Sequence, residues 1–324
     1  MWMQLLTLAV GFALITYAAD RFVDHAAALA ASLGITPLVI GLTVVAVGSS
    51  APELLVSCLA AFSGNSGLAV GNAVGSNIAN VGLVLGLSAL VGGVAVSVAI
   101  RRRELPAMLG ISLAVSALLL NGVLGRMEGV LLLSGFAALL GTLVWIERRR
   151  HLAVPRGADP ARAGTPAGTG AVPALTWTLI HLGLLLVASR LVVVSAVGIA
   201  EGLGVSDTLI GLTVVALGTS LPEVAASLAA ALKGHHDLAV GNVLGSNIAN
   251  LLLVLGAAAL LNPPQIAPVV LTRDLPVMIA MAMAVYLLPT AKGSSIAYQR
   301  AVGGLLLGGY LAYVVYVVFD VTLR

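Results

Sequence analysis

Shifted by 170 residues, the chain falls on itself. Of the 47 positions from Ile40 to Gly86, 30 are identical to those from Ile210 to Gly256, with no gap. The first copy opens Gly41-Leu-Thr-Val-Val-Ala-Val-Gly-Ser-Ser-Ala-Pro-Glu53, and the second opens Gly211-Leu-Thr-Val-Val-Ala-Leu-Gly-Thr-Ser-Leu-Pro-Glu223. Each is followed at a fixed distance by Gly-Asn-x-x-Gly-Ser-Asn-Ile-Ala-Asn, over 71–80 and 241–250. A self-match this long marks a duplicated architecture, so both halves must fold alike. It also places Glu53 and Glu223 at matching points inside apolar runs, where an unpaired charge is unfavourable.

The surroundings of the two copies decide the solvent. The 324 residues are 60% hydrophobic and 9% charged, with a mean hydropathy of +1.09. A soluble domain carries roughly 25% charged residues. This chain therefore reads as an all-α polytopic membrane protein, and its net charge of +3 is no sign of a nucleic-acid partner. Cys58 is the only cysteine, which excludes an internal disulfide and a cysteine metal site. The first seventeen residues lack a basic start and a small-residue cleavage site, so they read as a retained span.

A span needs about 20 apolar residues. Ten such segments are expected: 2–19 (with an extension toward residue 32), 36–62, 67–92, 105–122, 128–147, 174–198, 207–232, 238–261, 274–290 and 299–319. Residues 148–173, rich in Arg, Pro, Gly and Ala, read as a flexible linker. The expected organisation is a first five-helix half over 1–147, with its repeat near 36–92, and a second half over 174–324, with its repeat near 206–261. With the N-terminus outside, twelve of the 16 basic residues fall on the linker side, and only Arg126, Arg190, Arg273 and Arg324 on the other. That bias makes the linker cytoplasmic and both termini extracytoplasmic. Five is odd, so the second half enters from the opposite side and the repeat is inverted. Inverted repeats with interrupted helices suit secondary transporters that bind substrate near the midplane.

The motif residues fit a cation. Pro52 and Pro222 lack an N–H and loosen the preceding helical turn. Ser49, Ser50, Glu53 and Ser57 share one helix face, as do Thr219, Ser220, Glu223 and Ser227. Asn72, Ser76 and Asn80 recur every fourth residue, as do Asn242, Ser246 and Asn250. Together they offer carboxylates, hydroxyls and amides, a hard all-oxygen set suited to Ca²⁺ or Na⁺ rather than zinc, copper or iron. An acid at a helix centre is unfavourable by about 3 kcal/mol, so two reach roughly 6 without compensation. The alternative for the acids is pairing with buried donors, and for the Asn and Ser residues interhelical hydrogen bonding. Asn72, Asn77, Asn242 and Asn247 divide evenly between these readings.

Other polar residues read more plainly. Asp20, Asp24 and His25 near the inner side, and Glu201 and Asp207 near an outer loop, read as solvated ends. His235 and His236 read as a solvated turn before a metal or pH-sensing pair, and His181 has no assigned role. Trp2, Trp145 and Trp177 lie near span ends as interfacial anchors.

The paired motifs resemble the two alpha-repeats of the cation/calcium antiporter superfamily, and within it the prokaryotic sodium/calcium exchangers. The resemblance implies a Ca²⁺ and Na⁺ site built from Glu53 and Glu223, hydroxyls of Ser49, Ser50, Ser76, Thr219, Ser220 and Ser246, and amides of Asn80 and Asn250. It implies backbone carbonyls of Ala46, Ser49, Ala216 and Thr219 as further ligands, no cofactor, and no obligate protein partner. It also implies that the first and sixth spans slide across a rigid core. Family members often carry an acid at the position of Asn80 or Asn250; here both are Asn, which weakens the expectation of potassium co-transport. Proton coupling through the same acids ranks second. An intramembrane hydrolase is disfavoured, because no Ser–His pair recurs in both halves and paired aspartates are missing.

Overall fold

The computed structural model describes residues 2–153, 170–203, 216–290 and 294–322. Gly211 to Val215 at the start of the second motif, Asp207, and most of the expected linker lie outside these residues. The architecture is helical throughout: α1 (Trp2–Leu33), α2 (Pro37–Ser49), α3 (Ala51–Phe62), α4 (Ser66–Gly92), α5 (Leu105–Leu119), α6 (Arg126–Ile146), α7 (Ala171–Gly202), α8 (Ala216–Thr219), α9 (Leu221–Leu232), α10 (His236–Leu261), α11 (Val270–Leu287) and α12 (Ile296–Asp320). Seven are long and apolar enough to cross a membrane, and α2 with α3, bent by 44°, forms an eighth candidate. Among the described residues the expected spans fall on helices, 36–62 on the bent pair α2 and α3 and the described part of 207–232 on α8 and α9, with α5 and α9 as shorter apolar helices.

Elements recur at the repeat spacing. α3 matches α9, α4 matches α10, and each of the latter pair contains a π-helical turn beginning at its last motif asparagine, Asn80–Leu85 and Asn250–Val254. A π turn is rare and concentrates at functional positions. A second matched pair of π turns, Ile100–Glu104 and Val270–Asp274, carries Arg-acid-Leu-Pro in both halves.

The enclosed centre belongs to α4 and α10, the most buried of the candidate spans. Glycine lets α2 approach α10 at backbone contact. A Cβ on Gly241 would lie 2.7 Å from the Leu38 carbonyl oxygen, and one on Gly245 would lie 2.6 Å from the Ala46 Cβ. α12 covers the second part of α4, and α6 covers the matching part of α10. α1 and α7 pack mainly on each other along their length, beside this centre.

α1 runs unbroken to Leu33, so Asp20, Asp24 and His25 sit within a helix. The two aspartates are exposed, as expected of solvated side chains, but they lie inside the helix and are paired: Lys233 Nζ lies 2.8 Å from Asp20 Oδ1 and 2.6 Å from Asp24 Oδ1. His25 stacks on both Trp177 and His181, with ring centroids 5.9 and 4.9 Å away, in a cluster where those two rings lie 5.7 Å apart. His235 and His236 do not form the expected solvated turn: His235 is the N-cap of α10, His236 is its first residue, both are half-buried, and His236 Nδ1 is buried.

Candidate functional site

The two motif helices break one residue before the proline-bearing turn. Ser50 leaves helical geometry at φ −80°, ψ 8°, and Ser220 does the same at −85°, 2°. A proline fits the first turn of a helix, where its missing N–H is not needed, and it disfavours helical geometry just before it. Glu53 and Glu223 consequently occupy the first turns of α3 and α9. The positive end of the helix dipole there favours a carboxylate. This local design offsets part of the burial of two acids, each 1% exposed.

The acids reach across the repeat. Ser50 Oγ donates to Glu223 Oε1 at 3.1 Å. Ser50 therefore serves the opposite half and does not cap its own helix. Thr219 in turn makes a side-chain hydrogen bond to Glu53. Ser49 Oγ donates to Asn242 Oδ1 at 3.2 Å, tying α2 to α10.

Behind each acid stands an asparagine brace. Asn72 Nδ2 donates to Ser57 Oγ at 2.9 Å and to the Glu53 carbonyl at 3.2 Å. Asn242 Nδ2 repeats this with Ser227 Oγ at 2.8 Å and the Glu223 carbonyl at 3.5 Å. These two asparagines thus hold the helix that presents the acid. Where α4 and α10 meet, Asn77 Nδ2 donates to the Asn247 carbonyl and Asn250 Nδ2 to Asn77 Oδ1, both at 3.2 Å.

Several buried oxygens in this cluster have no donor from the protein: Glu53 Oε2, Glu223 Oε2, Asn80 Oδ1, Asn250 Oδ1, Asn247 Oδ1, Ser220 Oγ and Ser246 Oγ. Buried polar atoms are almost always hydrogen-bonded, so such a concentration needs an explanation. Every member is an oxygen, and two belong to carboxylates. A hard cation satisfies that set; an anion or an apolar ligand does not.

Of the residues singled out in the sequence, Ser49, Ser50, Glu53, Thr219 and Glu223 are joined by hydrogen bonds across the repeat. Asn80, Ser220, Ser246 and Asn250 contribute the oxygens without donors. Ser76 instead lines a cavity of about 180 Å³ between α4 and α12, with Gly75 and Tyr313. The Ala46 carbonyl accepts the Ser50 N–H at 3.0 Å, and Ala216 begins the short α8. Asn77 and Asn247 belong at the crossing of α4 and α10, although the four-residue series 72, 76, 80 passes over them. Their recurrence in both copies is the signal that marks them.

Comparison with known proteins places the chain in a family. The profile of the family described as Sodium/calcium exchanger protein matches residues 3–145 and 174–319. Inner membrane protein YrbG of Escherichia coli is 41% identical over 310 residues, covering 94% of each chain. The sodium/calcium exchanger MaX1 of Methanosarcina acetivorans is 32% identical over 342 aligned positions, covering 96% of this chain and 97% of its own. The solved structure of the sodium-calcium exchanger NCX_Mj, soaked with Na⁺ and Ca²⁺, superposes with a TM-score of 0.81 at 32% identity, over 97% of this chain and 98% of that one. With both halves matched and the fold shared along nearly its whole length, the chain belongs to the sodium/calcium exchanger protein family.

Proposed function

We propose that the chain is a secondary antiporter exchanging Ca²⁺ for Na⁺ at a midplane site between Glu53 and Glu223. One observation carries this reading: each of two repeat-related acids is bonded from the opposite half, Glu223 by Ser50 and Glu53 by Thr219, among buried oxygens that no protein donor satisfies. Two ionised glutamates supply a formal charge of −2, which a single Ca²⁺ neutralises. An emptied site leaves two anions close together in a poor dielectric, unfavourable until Na⁺ or H⁺ enters. Exchange follows if the charged, empty site does not cross between states while a filled one does.

The ligand set is Glu53 and Glu223, the hydroxyls of Ser49, Ser50, Thr219, Ser220 and Ser246, the amide oxygens of Asn80 and Asn250, and backbone carbonyls of Ala46, Ser49, Ala216 and Thr219, with Ser76 left out because it faces the α4–α12 cavity. Ten spans form two inverted five-helix halves, 1–147 and 174–324, joined by a cytoplasmic linker over 148–173. Both termini lie outside the cell membrane, α1 and α7 shift against the centre to alternate access, and no cofactor takes part.

Flux into proteoliposomes with Na⁺, K⁺, H⁺ and Ca²⁺ gradients varied singly tests the reading. Na⁺-driven Ca²⁺ uptake is expected, and Glu53→Gln or Glu223→Gln abolishes it. Unmodified rates in both variants would remove the site. Ca²⁺ uptake driven by a pH gradient without Na⁺ would transfer the same acids to proton exchange.

A further inference from the structure

The repeat is broken in one conspicuous place. Lys233 follows the last residue of α9, the helix carrying Glu223, and reaches α1 with three contacts: Asp20 Oδ1 at 2.8 Å, Asp24 Oδ1 at 2.6 Å and the Asp20 carbonyl at 2.7 Å. Shifting by 170 residues puts Ser63 in place of the lysine and Arg190 and Val194 in place of the aspartates. The other half therefore has no chemistry for an equivalent ion pair. Packing is unequal in the same sense. α1 lies along α9, whereas among the described residues α7 stands off its matching helix α3.

We propose that Lys233, Asp20 and Asp24 form a one-sided latch that holds α1 against the Glu223 helix and biases the protein toward the state in which this face is closed. The inference rests on the transport reading, because it assigns the latch to one of two states of access. A duplicated fold with identical halves populates its two related states equally; an ion pair on one side alone removes that equality. The two carboxylates converge on one ammonium from positions one helical turn apart on α1, so a shift of α1 by a turn cannot keep both contacts. The lysine is 24% exposed and the aspartates about half exposed, so the effect is modest: about a fivefold change in the ratio of states.

The test uses the full chain with Cys58→Ser and Val23→Cys. Val23, three residues on from Asp20, is 1% exposed and becomes accessible only when the packing around this turn of α1 opens. Lys233→Ala, and independently Asp20→Asn with Asp24→Asn, are expected to raise its labelling by a water-soluble maleimide about fivefold. Lys233→Arg keeps the charge and keeps the slow rate. In vesicles, the open variants bind Ca²⁺ more tightly from the Lys233 face and more weakly from the other, since a rarely populated competent state lowers apparent affinity. Unchanged labelling in both open variants overturns the latch. Labelling decides the matter even if the protein moves no ions, whereas absent flux in the unmodified chain speaks against the transport reading alone.

Discussion

Gly245→Ala probes the contact on which the site depends. A Cβ there would stand 2.6 Å from the Ala46 Cβ, 2.7 Å from the Leu42 carbonyl oxygen and 2.8 Å from the Leu42 Cα. Ordinary contact begins at 3.4 Å, so the shortfall is 3.4 − 2.6 = 0.8 Å. None of these atoms belongs to a side chain able to rotate away, so α2 must separate from α10. Overpacking of this kind destabilises by about 1–3 kcal/mol, and replacing a helical glycine by alanine returns up to about 1. A net loss of about 1–2 kcal/mol is expected, or roughly 5- to 30-fold in the population of the intact arrangement. The separation also stretches the 3.2 Å bond from Ser49 to Asn242 and moves Ser50 away from Glu223. Gly110→Ala is the control, because a Cβ there meets nothing within 4 Å among the described residues. Thermal denaturation in detergent should fall by about 4 °C for Gly245→Ala and hold or rise for Gly110→Ala. Ca²⁺ affinity measured by calorimetry should weaken only in the former. If Gly245→Ala keeps both its melting temperature and its affinity, the close approach of α2 and α10 does not position the site.

Two further positions are tested by substitution, one beside the site and one away from it. Asn242→Ala removes the amide that donates to Ser227 and accepts from Ser49, leaving Ser49 only its 3.4 Å bond to the Ala46 carbonyl. A loss of about 1–3 kcal/mol follows, and Asn242→Asp should restore less than half of it, having no amide donor for Ser227; thermal denaturation distinguishes the two. Arg273→Ala strips the guanidinium that binds Asp274 at 2.6 Å and Asp320 at 3.0 Å, leaving two carboxylates in the same partly buried cluster. A loss of about 2 kcal/mol is expected, with Arg273→Lys intermediate, since lysine cannot reproduce the forked contact; equal melting temperatures for all three would show that the cluster contributes nothing.

The membrane class, the helical architecture and the identity of the two acids are all readable along the chain. Composition excludes a soluble fold, and a gapless repeat ties Glu53 to Glu223 without knowledge of their positions in space. The helix breaks are local too, because Pro52 and Pro222 act on the turn just before them. What remained hidden depends on pairs far apart in sequence. Spacing puts Ser50 and Glu53 on one face, yet Ser50 donates to Glu223, 173 residues away. Asn77 lies off the four-residue series and joins the cluster only because α4 crosses α10 there. Asp20 and Asp24 look like charges at the end of a span until α9 brings Lys233 beside them. Periodicity specifies which face of a helix a residue occupies. Only the packing of α1, α2, α4, α9 and α10 decides what that face meets, and hydrogen bonds and ion pairs act over a few ångströms whatever the distance along the chain.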